Sequence, residues 1–481
     1  MAQSSDLEPL FPDRDSDEPL ARQLARRLRA AIQSGFYGPS SRLLPRRELA
    51  VRLGLARNTV TAAIEQLIAE GYLESRVGSG TFVIARVAKA PAAAAPAPRR
   101  LPKTVDRFQF ARRMLEGDTM GSGPLRAGIP DLSTFPHAAW ARITRRTLAR
   151  LSTYLEYGDA RGEAALREAI AQHVRQFRGV TTEEQRVIVV EGTQGAIRLV
   201  ADLLLAEGDR ALIEDPCYPF AYAALKARST ELLPVPVDEN GMDVALAPAA
   251  RLALVSPSHQ FPLGSRMSLE RRRALLDWAQ RNDAYVIEDD YDSEYTFDAK
   301  PLPTLQSIDR HERVIYVGTF SKTLAPGLRL GYLIVPQHLA ELFAVARFVS
   351  TLGATRYVQA TLADFIAEGH FARYVRRMTR SYGERRRELV SLLEQGLPKG
   401  RFALAAGTSG LNLSIIAPPD FDDIAIRDEL VASGLWVAPL SSFCISRTDC
   451  RGFVIGYSAA PMPEILAGAE VLIAAITRSA S

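Results

Sequence analysis

The chain has 481 residues, 47 % of them hydrophobic and 24 % charged, with a formal net charge of +4. This is the composition of a globular protein with a sizeable core and room for about three domains. Three cysteines, Cys217, Cys444 and Cys450, show no metal-ligand spacing, and so odd and sparse a set suits a reducing compartment.

The opening residues, MAQSSDLEPLFPDRDSDEP, are acidic and polar, without the basic and apolar regions of a signal peptide. No run of about 18 apolar residues suggests a membrane span, so a cytoplasmic location is expected. A helix follows, in which Leu20, Leu24, Leu28 and Ile32 recur at helical spacing and Arg22, Arg26, Arg27 and Arg29 occupy other faces. Gly35 and Gly38-Pro39 stop it. RRELAVRLG predicts a short helix closed by Gly54, and ARNTVTAAIEQLIAEG a third, with Val60, Ile64, Leu67 and Ile68 on one face. YLESRVGSGTFV reads as two short strands joined around Gly78-Ser79-Gly80.

Helix, turn, helix and glycine-tipped hairpin, over residues 15–85, predict a winged helix-turn-helix. Such a reader needs short polar or cationic residues where its second helix enters the major groove. That end is Ala56-Arg57-Asn58-Thr59, with Thr61 one turn on. Arg57 suits guanine edges or phosphate and Asn58 suits adenine. Arg46 and Arg47 open the preceding helix, where phosphate lies. Arg76, Gly78 and Gly80 belong to a wing whose glycines allow close approach to the minor groove. A small helical interaction module with a solvated basic face is the bland alternative. PLARQLARRLRAAIQSG, RRELAVRLGLARNTVTAAIEQLIAEGYLE and GSGTFV together resemble the GntR-type winged-helix domain over most of residues 18–84. The resemblance implies a double-stranded DNA operator as partner. In SSRLLPRRELA the chain departs from the family: Leu-Pro-Arg stands where Pro-Ser is usual, so a serine contact to phosphate is not expected.

Residues 86–105 read as an Ala/Pro-rich basic linker. RVAKAPAAAAPAPRRLPK has no acidic residue and carries Arg86, Lys89, Arg99, Arg100 and Lys103. Repeated Ala-Pro favours an extended spacer, with a contact to DNA backbone or a partner as the sharper alternative.

Beyond the linker, strands alternate with helices. RVIVV leads into GTQGAIRLVADLLLAEG, RALIE into DPCYPFAYAALKA, RLALVSP into SLERRRALLDWAQ, and AYVIEDD and RVIYVG follow. Apolar strands separated by helices predict an α/β domain with a mostly parallel sheet covered on both faces, over about residues 150–345. From about residue 346 the pattern turns to helices and then FALAAGTSGLNLSII, VAPL and GFVIGYS, a smaller α+β part that is joined by an arm over residues 120–150.

Few lysines occur here: Lys226, Lys300, Lys322 and Lys399. Only Lys322, in RVIYVGTFSKTLAPGLRLGY, directly follows an apolar strand. An amine in an apolar site loses proton affinity and becomes a nucleophile toward aldehydes; an exposed lysine is the ordinary alternative. YVIEDDYDSEY places acids at the end of another strand, the edge where open α/β sheets bind ligands. A carboxylate buried there suits a pyridinium nitrogen; the bland alternatives are an acidic cluster at a helix N-terminus and a metal site, for which no histidine or cysteine lies nearby in the sequence. Gly192-Thr193-Gln194 opens a helix and offers backbone N–H groups to phosphate, with Arg329 as the cation. Tyr218 can stack on an aromatic ring.

Residues from about 120 to the end resemble a fold-type I aminotransferase. EDDYDSEY, GTFSKTLAPGLRLGY and PSHQFPLG are similar to the MocR/GabR family, which joins this domain to a GntR-type reader. The resemblance implies pyridoxal 5′-phosphate as cofactor. It implies a Schiff base at Lys322, Asp289 on the pyridine nitrogen, Tyr291 on the ring hydroxyl and Tyr218 stacked on the ring. It puts Gly192, Thr193, Gln194, Thr319, Ser321 and Arg329 around the phosphate. Tyr157, in YGDARGEAALREAI, matches a tyrosine that reaches the other subunit's phosphate, which implies a homodimer. Two positions depart. The carboxylate-binding arginine of aminotransferases is replaced by Val454 in FVIGYS, and Arg451 has the wrong spacing for the same side of a strand. Where GABA-sensing members carry a second arginine, this chain has Phe220. Three functions stay open: a regulator sensing the cofactor or a small amine effector, a working aminotransferase, and a non-catalytic cofactor sensor controlling vitamin B6 synthesis.

Overall fold

The computed structural model describes residues 7, 9–84, 123–226, 230–245, 247–297, 302–405 and 407–480. The chain forms two compact units, Met1–Leu101 and Pro102–Ser481. The expected linker over residues 86–105, and Lys300, lie outside the described residues.

In the first unit, α1 (Leu20–Gln33) buries Leu24, Ala25, Leu28 and Ala31. Helix α2 (Arg46–Leu53) ends on Gly54, whose left-handed φ of 64° turns the chain into α3 (Arg57–Ala69). Val60, Ile64 and Leu67 of α3 are buried, as the apolar spacing predicts, together with Ala63, while Ile68 is half-buried. Arg29 of α1 donates two hydrogen bonds, of 2.9 and 2.7 Å, to Glu70 at the end of α3. Strands β1 (Leu73–Arg76) and β2 (Gly80–Val83) form the antiparallel hairpin, with Leu73 opposite Val83 and Arg76 opposite Gly80. Residues 40–43 extend it: Leu43 N–H donates to the Thr81 carbonyl and Val83 N–H to that of Ser41.

In the second unit, β3 (Val187–Val190), β4 (Arg210–Asp215), β5 (Glu231–Asp238), β6 (Gly241–Met242), β7 (Leu252–Val255), β8 (Tyr285–Asp290), β9 (Val314–Thr319) and β10 (Gly331–Ile334) make one eight-stranded sheet, ordered β3-β10-β9-β8-β7-β4-β5-β6. Strands β9, β8, β7, β4 and β5 run parallel. The expected parallel sheet has two exceptions, since β10 is antiparallel to both its neighbours and β6 to β5. An apolar run such as GYLI carries no sign of its direction, so this reversal is set by the chain on either side of it.

Alternate residues of each strand serve opposite faces. Ile287, Ile315 and Leu333 pack with helices Thr193–Leu204, Pro219–Leu225 and Ala340–Thr351. Val286 and Val314 pack on the other face with helix Leu269–Arg281, and Val189, Tyr316 and Tyr332 with helices Ala164–Arg178, Arg356–Ala367 and His370–Gly396. The smaller part is a four-stranded antiparallel sheet, β11 (Ala403–Ala405), β12 (Asn412–Ala417), β13 (Ala438–Pro439) and β14 (Arg451–Gly456), ordered β11-β12-β14-β13. It packs with helices Asp423–Ala432 and Met462–Ala480. Asp215, at the end of β4, ties in a C-terminal loop by accepting from the N–H groups of Ile445, Ser446 and Arg447 at 2.9, 2.8 and 3.1 Å.

Candidate functional site

Because β10 runs against β9 and β3, its first residue lies beside the last residues of both: Gly331 pairs with Thr319 and with Val190. The loop between β9 and β10 therefore leaves and returns at one rim, closed by a 3.1 Å hydrogen bond from Phe320 N–H to the Leu330 carbonyl. The carboxyl ends of β3, β9, β8 and β4 meet at this rim. The candidate cofactor residues come from these ends.

Strand β8 sorts its acids by alternation. Glu288 faces Arg272 and accepts from Leu305 N–H and Gln306 N–H. Asp290 accepts from Arg178 at 2.7 Å and from Tyr316 Oη at 2.6 Å. Asp289, between them, points to the opposite face, and its buried Oδ1 has no hydrogen-bond partner. Burial, then the like charge of Asp290, pushes its carboxyl up to about 7. Past the strand, Asp292 faces His259 across 3.1 Å and accepts from Leu411 N–H. Tyr291 Oη donates to the His259 carbonyl at 2.8 Å and lies 3.0 Å from His259 Nδ1.

Lys322 sits on the loop between β9 and β10, with Nζ donating to the Gly128 carbonyl at 2.8 Å. Burial pushes its ammonium down, Asp292 and Asp289 hold it up, and Arg126 pushes it down again. Tyr218 caps the start of helix Pro219–Leu225. Its ring lies 5.3 Å from that of Phe220 and 5.9 Å from that of Phe261. Burial and the Asp289 charge push its hydroxyl up to about 12.

At the opposite end of the cluster, Gly192, at φ 81°, turns β3 into helix Thr193–Leu204. The first intrahelical bond there is made by Ala196 N–H, so the N–H groups of Thr193 and Gln194 precede the helical ladder. The buried amide nitrogen of Gln194 has no partner. Arg329 is exposed and donates to the Glu191 carbonyl at 2.9 Å, and a Cβ built on Gly192 would lie 3.7 Å from its guanidinium. A Cβ on Gly331 would lie 2.9 Å from Gly192 Cα, so these two strand ends meet only as glycines. Thr319 Oγ1 accepts from Ser321 N–H at 3.1 Å.

Tyr157 stands apart. Its ring is 72 % exposed and rests edge-on against Phe348, with centroids 6.1 Å apart. Val454 is fully buried in an apolar cluster with Trp436, Leu440 and Phe443, which leaves no cation at that place. Arg451 lies at the other end of β14, opposite Ala417.

In the first unit, α3 presents Arg57 and Asn58 exposed and Thr59 and Thr61 half-buried. Ala56 caps it without a side-chain bond and its first turn has no acid, so its N–H groups favour an anion. Arg47 is exposed, whereas Arg46 is half-buried and pairs with Glu65 at 3.2 Å. Pro45 caps α2 without a side-chain bond, as expected where the usual serine is missing. In the wing, Arg76 pairs with Glu74 and lies over Phe82. Gly78 and Gly80 have φ of 76° and 114°, backbone that favours glycine.

Sequence reasoning missed several of these neighbours. His259 lies in the quoted run PSHQFPLG, bounded by two prolines, but its partner Asp292 is 33 residues away. Gln260, in the same run, donates to Glu214 and to the Pro216 and Phe261 carbonyls. Burial pushes Glu214 up to about 8. Arg42, whose Nε would lie 2.9 Å from a Cβ on Gly80, braces the wing. Its only signal is an arginine next to the predicted turn.

Residues 124–453 match the family described as aminotransferase class I and II. Residues 20–83 match the bacterial regulatory proteins of the gntR family, which bind DNA. The probable rhizopine catabolism regulatory protein MocR of Rhizobium meliloti is 38 % identical over 460 residues, 93 % of this chain and 92 % of its own. The HTH-type transcriptional regulator TauR of Rhodobacter capsulatus is 34 % identical over 471 residues, 93 % of this chain and 95 % of its own. The kynurenine aminotransferase of Pyrococcus horikoshii, solved with PMP, shares the fold with a TM-score of 0.71 at 23 % identity, over 77 % of this chain and 95 % of its own. The cofactor of this domain is pyridoxal 5′-phosphate. The residues present fit it: Asp289 has an unpartnered oxygen for a pyridinium nitrogen, Gln194 an unpartnered amide beside a helix N-terminus for phosphate, and Lys322 an amine weakened as a base. A DNA reader followed by such a domain, aligned along nearly the whole of a known regulator, makes this chain a member of the MocR/GabR family of transcription regulators.

Proposed function

We propose that the protein changes its hold on a double-stranded DNA operator when pyridoxal 5′-phosphate, or a small amine that reacts with it, occupies the site at Lys322. Bound there, the cofactor supplies an aldehyde for amines and an electron sink in its ring. The observation that carries this is a lysine pushed toward its neutral, nucleophilic form beside a buried carboxylate oxygen without a partner, Asp289 Oδ1. In this reading Lys322 holds the aldehyde carbon and Asp289 keeps the pyridine nitrogen protonated. Tyr291 faces the ring hydroxyl and Tyr218 stacks on the ring. Gly192, Thr193, Gln194, Thr319, Ser321 and Arg329 hold the phosphate. Arg57, Asn58, Thr59 and Thr61 read the operator, Arg46, Arg47 and Arg76 meet its backbone, and Gly78 and Gly80 let the wing approach.

Sensing is favoured over efficient transamination by the apolar wall at Val454 and by Phe220, which remove two arginines that would grip an amino acid's carboxylate. The protein acts as a homodimer. Tyr157 and its neighbour Leu155 are each 72 % exposed, and Val349, next to Phe348, is 75 % exposed, an apolar surface that suits a second subunit. Among the described residues no helix is long and apolar enough to cross a membrane, and the protein works in the cytoplasm with its operator. An effector shifts DNA binding only if it favours one arrangement of the protein over another.

The test is operator affinity, by fluorescence anisotropy, of the cofactor-free protein, the loaded protein and the loaded protein with an amine panel. A change of about tenfold between any two states is expected, equivalent to ~1.4 kcal/mol of coupling. Equal affinity in all three states defeats the proposal, and complete conversion of the cofactor absorbance in repeated turnovers would favour a working aminotransferase.

A further inference from the structure

Residues 125–128 bridge two parts of the site. At one end the Leu125 carbonyl accepts from Gly456 N–H of β14 at 2.8 Å, and at the other the Gly128 carbonyl accepts from Lys322 Nζ at 2.8 Å. A Cβ on Gly456 would lie 2.1 Å from the Arg126 carbonyl oxygen, so the two backbones touch. Ala127 packs on the apolar cluster that contains Val454. Arg126 lies between these anchors, half-buried. Three buried arginines of this unit each meet an acid: Arg178 meets Asp290, Arg272 meets Glu288 and Arg385 meets Asp131. Arg126 has no hydrogen bond or ion pair among the described residues, yet its charge acts on Lys322. A half-buried guanidinium without a counter-ion is costly unless an anion meets it. Arg126 lies two residues before the carbonyl that accepts from Lys322 Nζ, on a segment whose backbone touches β14 at Gly456.

We propose that Arg126 binds the acid group of the effector, so that the effector is an amine bearing a carboxylate, an amino acid, rather than a plain amine. The inference rests on the reading that an amine reaches the cofactor at Lys322. The planar guanidinium suits a carboxylate through two parallel hydrogen bonds.

The experiment uses the full chain loaded with cofactor and two matched pairs, alanine with alaninamide and β-alanine with its amide. Cofactor absorbance and operator anisotropy are both followed. Wild-type protein is expected to bind at least one acid about tenfold more tightly than its amide. Arg126→Gln should bring the pair within about twofold by weakening the acid alone, and Arg126→Lys should keep part of the preference. Equal binding of acid and amide by wild type, or an equal loss of both in Arg126→Gln, overturns the inference while leaving the sensing proposal in place. No response to any amine defeats the amine reading and this inference with it. Should Arg126→Gln lose the cofactor band, Arg126→Lys carries the comparison: a preference no smaller than about half that of wild type supports the role of charge, and its complete loss with the cofactor band intact counts against it.

Discussion

Replacing Asp289 by asparagine tests the site without needing an effector. In the folded chain the Asp289 carboxyl keeps its proton to about 7, against an ordinary value of 3.8. Between those values the folded state holds a proton that the unfolded state has released, so stability falls as pH rises through that window and the loss is complete above it. The whole gap amounts to about 4 kcal/mol, and some two units of it, about 3 kcal/mol, fall between pH 5 and pH 8. Asparagine does not titrate, so cofactor-free Asp289→Asn should gain about 3 kcal/mol on cofactor-free wild type between those two pH values. Glu288, pushed up to about 7, slopes the same way in both proteins and cancels, whereas Glu214, pushed up to about 8 mainly by burial, loses in the variant the smaller push it receives from the Asp289 charge. Urea unfolding followed by tryptophan fluorescence measures this, since Trp140, Trp278 and Trp436 all lie in the second unit. If Asp289 pairs with the pyridinium as proposed, it stays ionised in loaded wild type and the slope should flatten. Parallel pH profiles for the two cofactor-free proteins would refute the account of Asp289 as a buried acid awaiting a cation.

Lys322→Ala should abolish covalent retention of the cofactor: borohydride reduction followed by mass spectrometry should find the adduct at residue 322 in wild type and none in the variant. Arg57→Ala should weaken operator binding by about 1–3 kcal/mol, read by anisotropy at fixed salt, with the fluorescence-detected stability of the second unit unchanged. Arg178→Met leaves Asp290 buried with only the Tyr316 hydroxyl as donor, and should cost about 3–5 kcal/mol in urea unfolding.

The reader was the more legible half because its signals are local. Val60, Ile64 and Leu67 share one face of α3, Gly54 needs its left-handed turn, and Gly78 and Gly80 need theirs. Of the candidate cofactor residues, Lys322, Asp289 and Gly192 declare themselves because each lies at or just past the end of an apolar strand. Adjacency in sequence does not separate Asp289 from Asp290; strand alternation does, by turning one to Arg178 and leaving the other without a partner. His259 with Asp292, and Arg126 with Lys322, stay hidden because their neighbours come from distant strands and from an irregular segment with no periodicity. The reversal of β10 is hidden for the same reason, since the apolar run GYLI fits either direction. Glu65, which pairs with Arg46, shows that a basic residue near a DNA-reading helix can also be spent on holding two helices together.

The closed loop between β9 and β10 separates what the sheet must conserve from what the site can vary. Because Thr319 and Gly331 pair directly and Phe320 N–H bonds the Leu330 carbonyl, the strands keep their register whatever the intervening residues do. Lys322 and Arg329 are thus carried on a tether with a fixed base. Thr323 and Leu324 of this loop are buried in the core and fixed by it; its exposed residues can be exchanged at little cost to folding, whereas one residue inserted within β9 or β10 would shift the side chains beyond it to the opposite face.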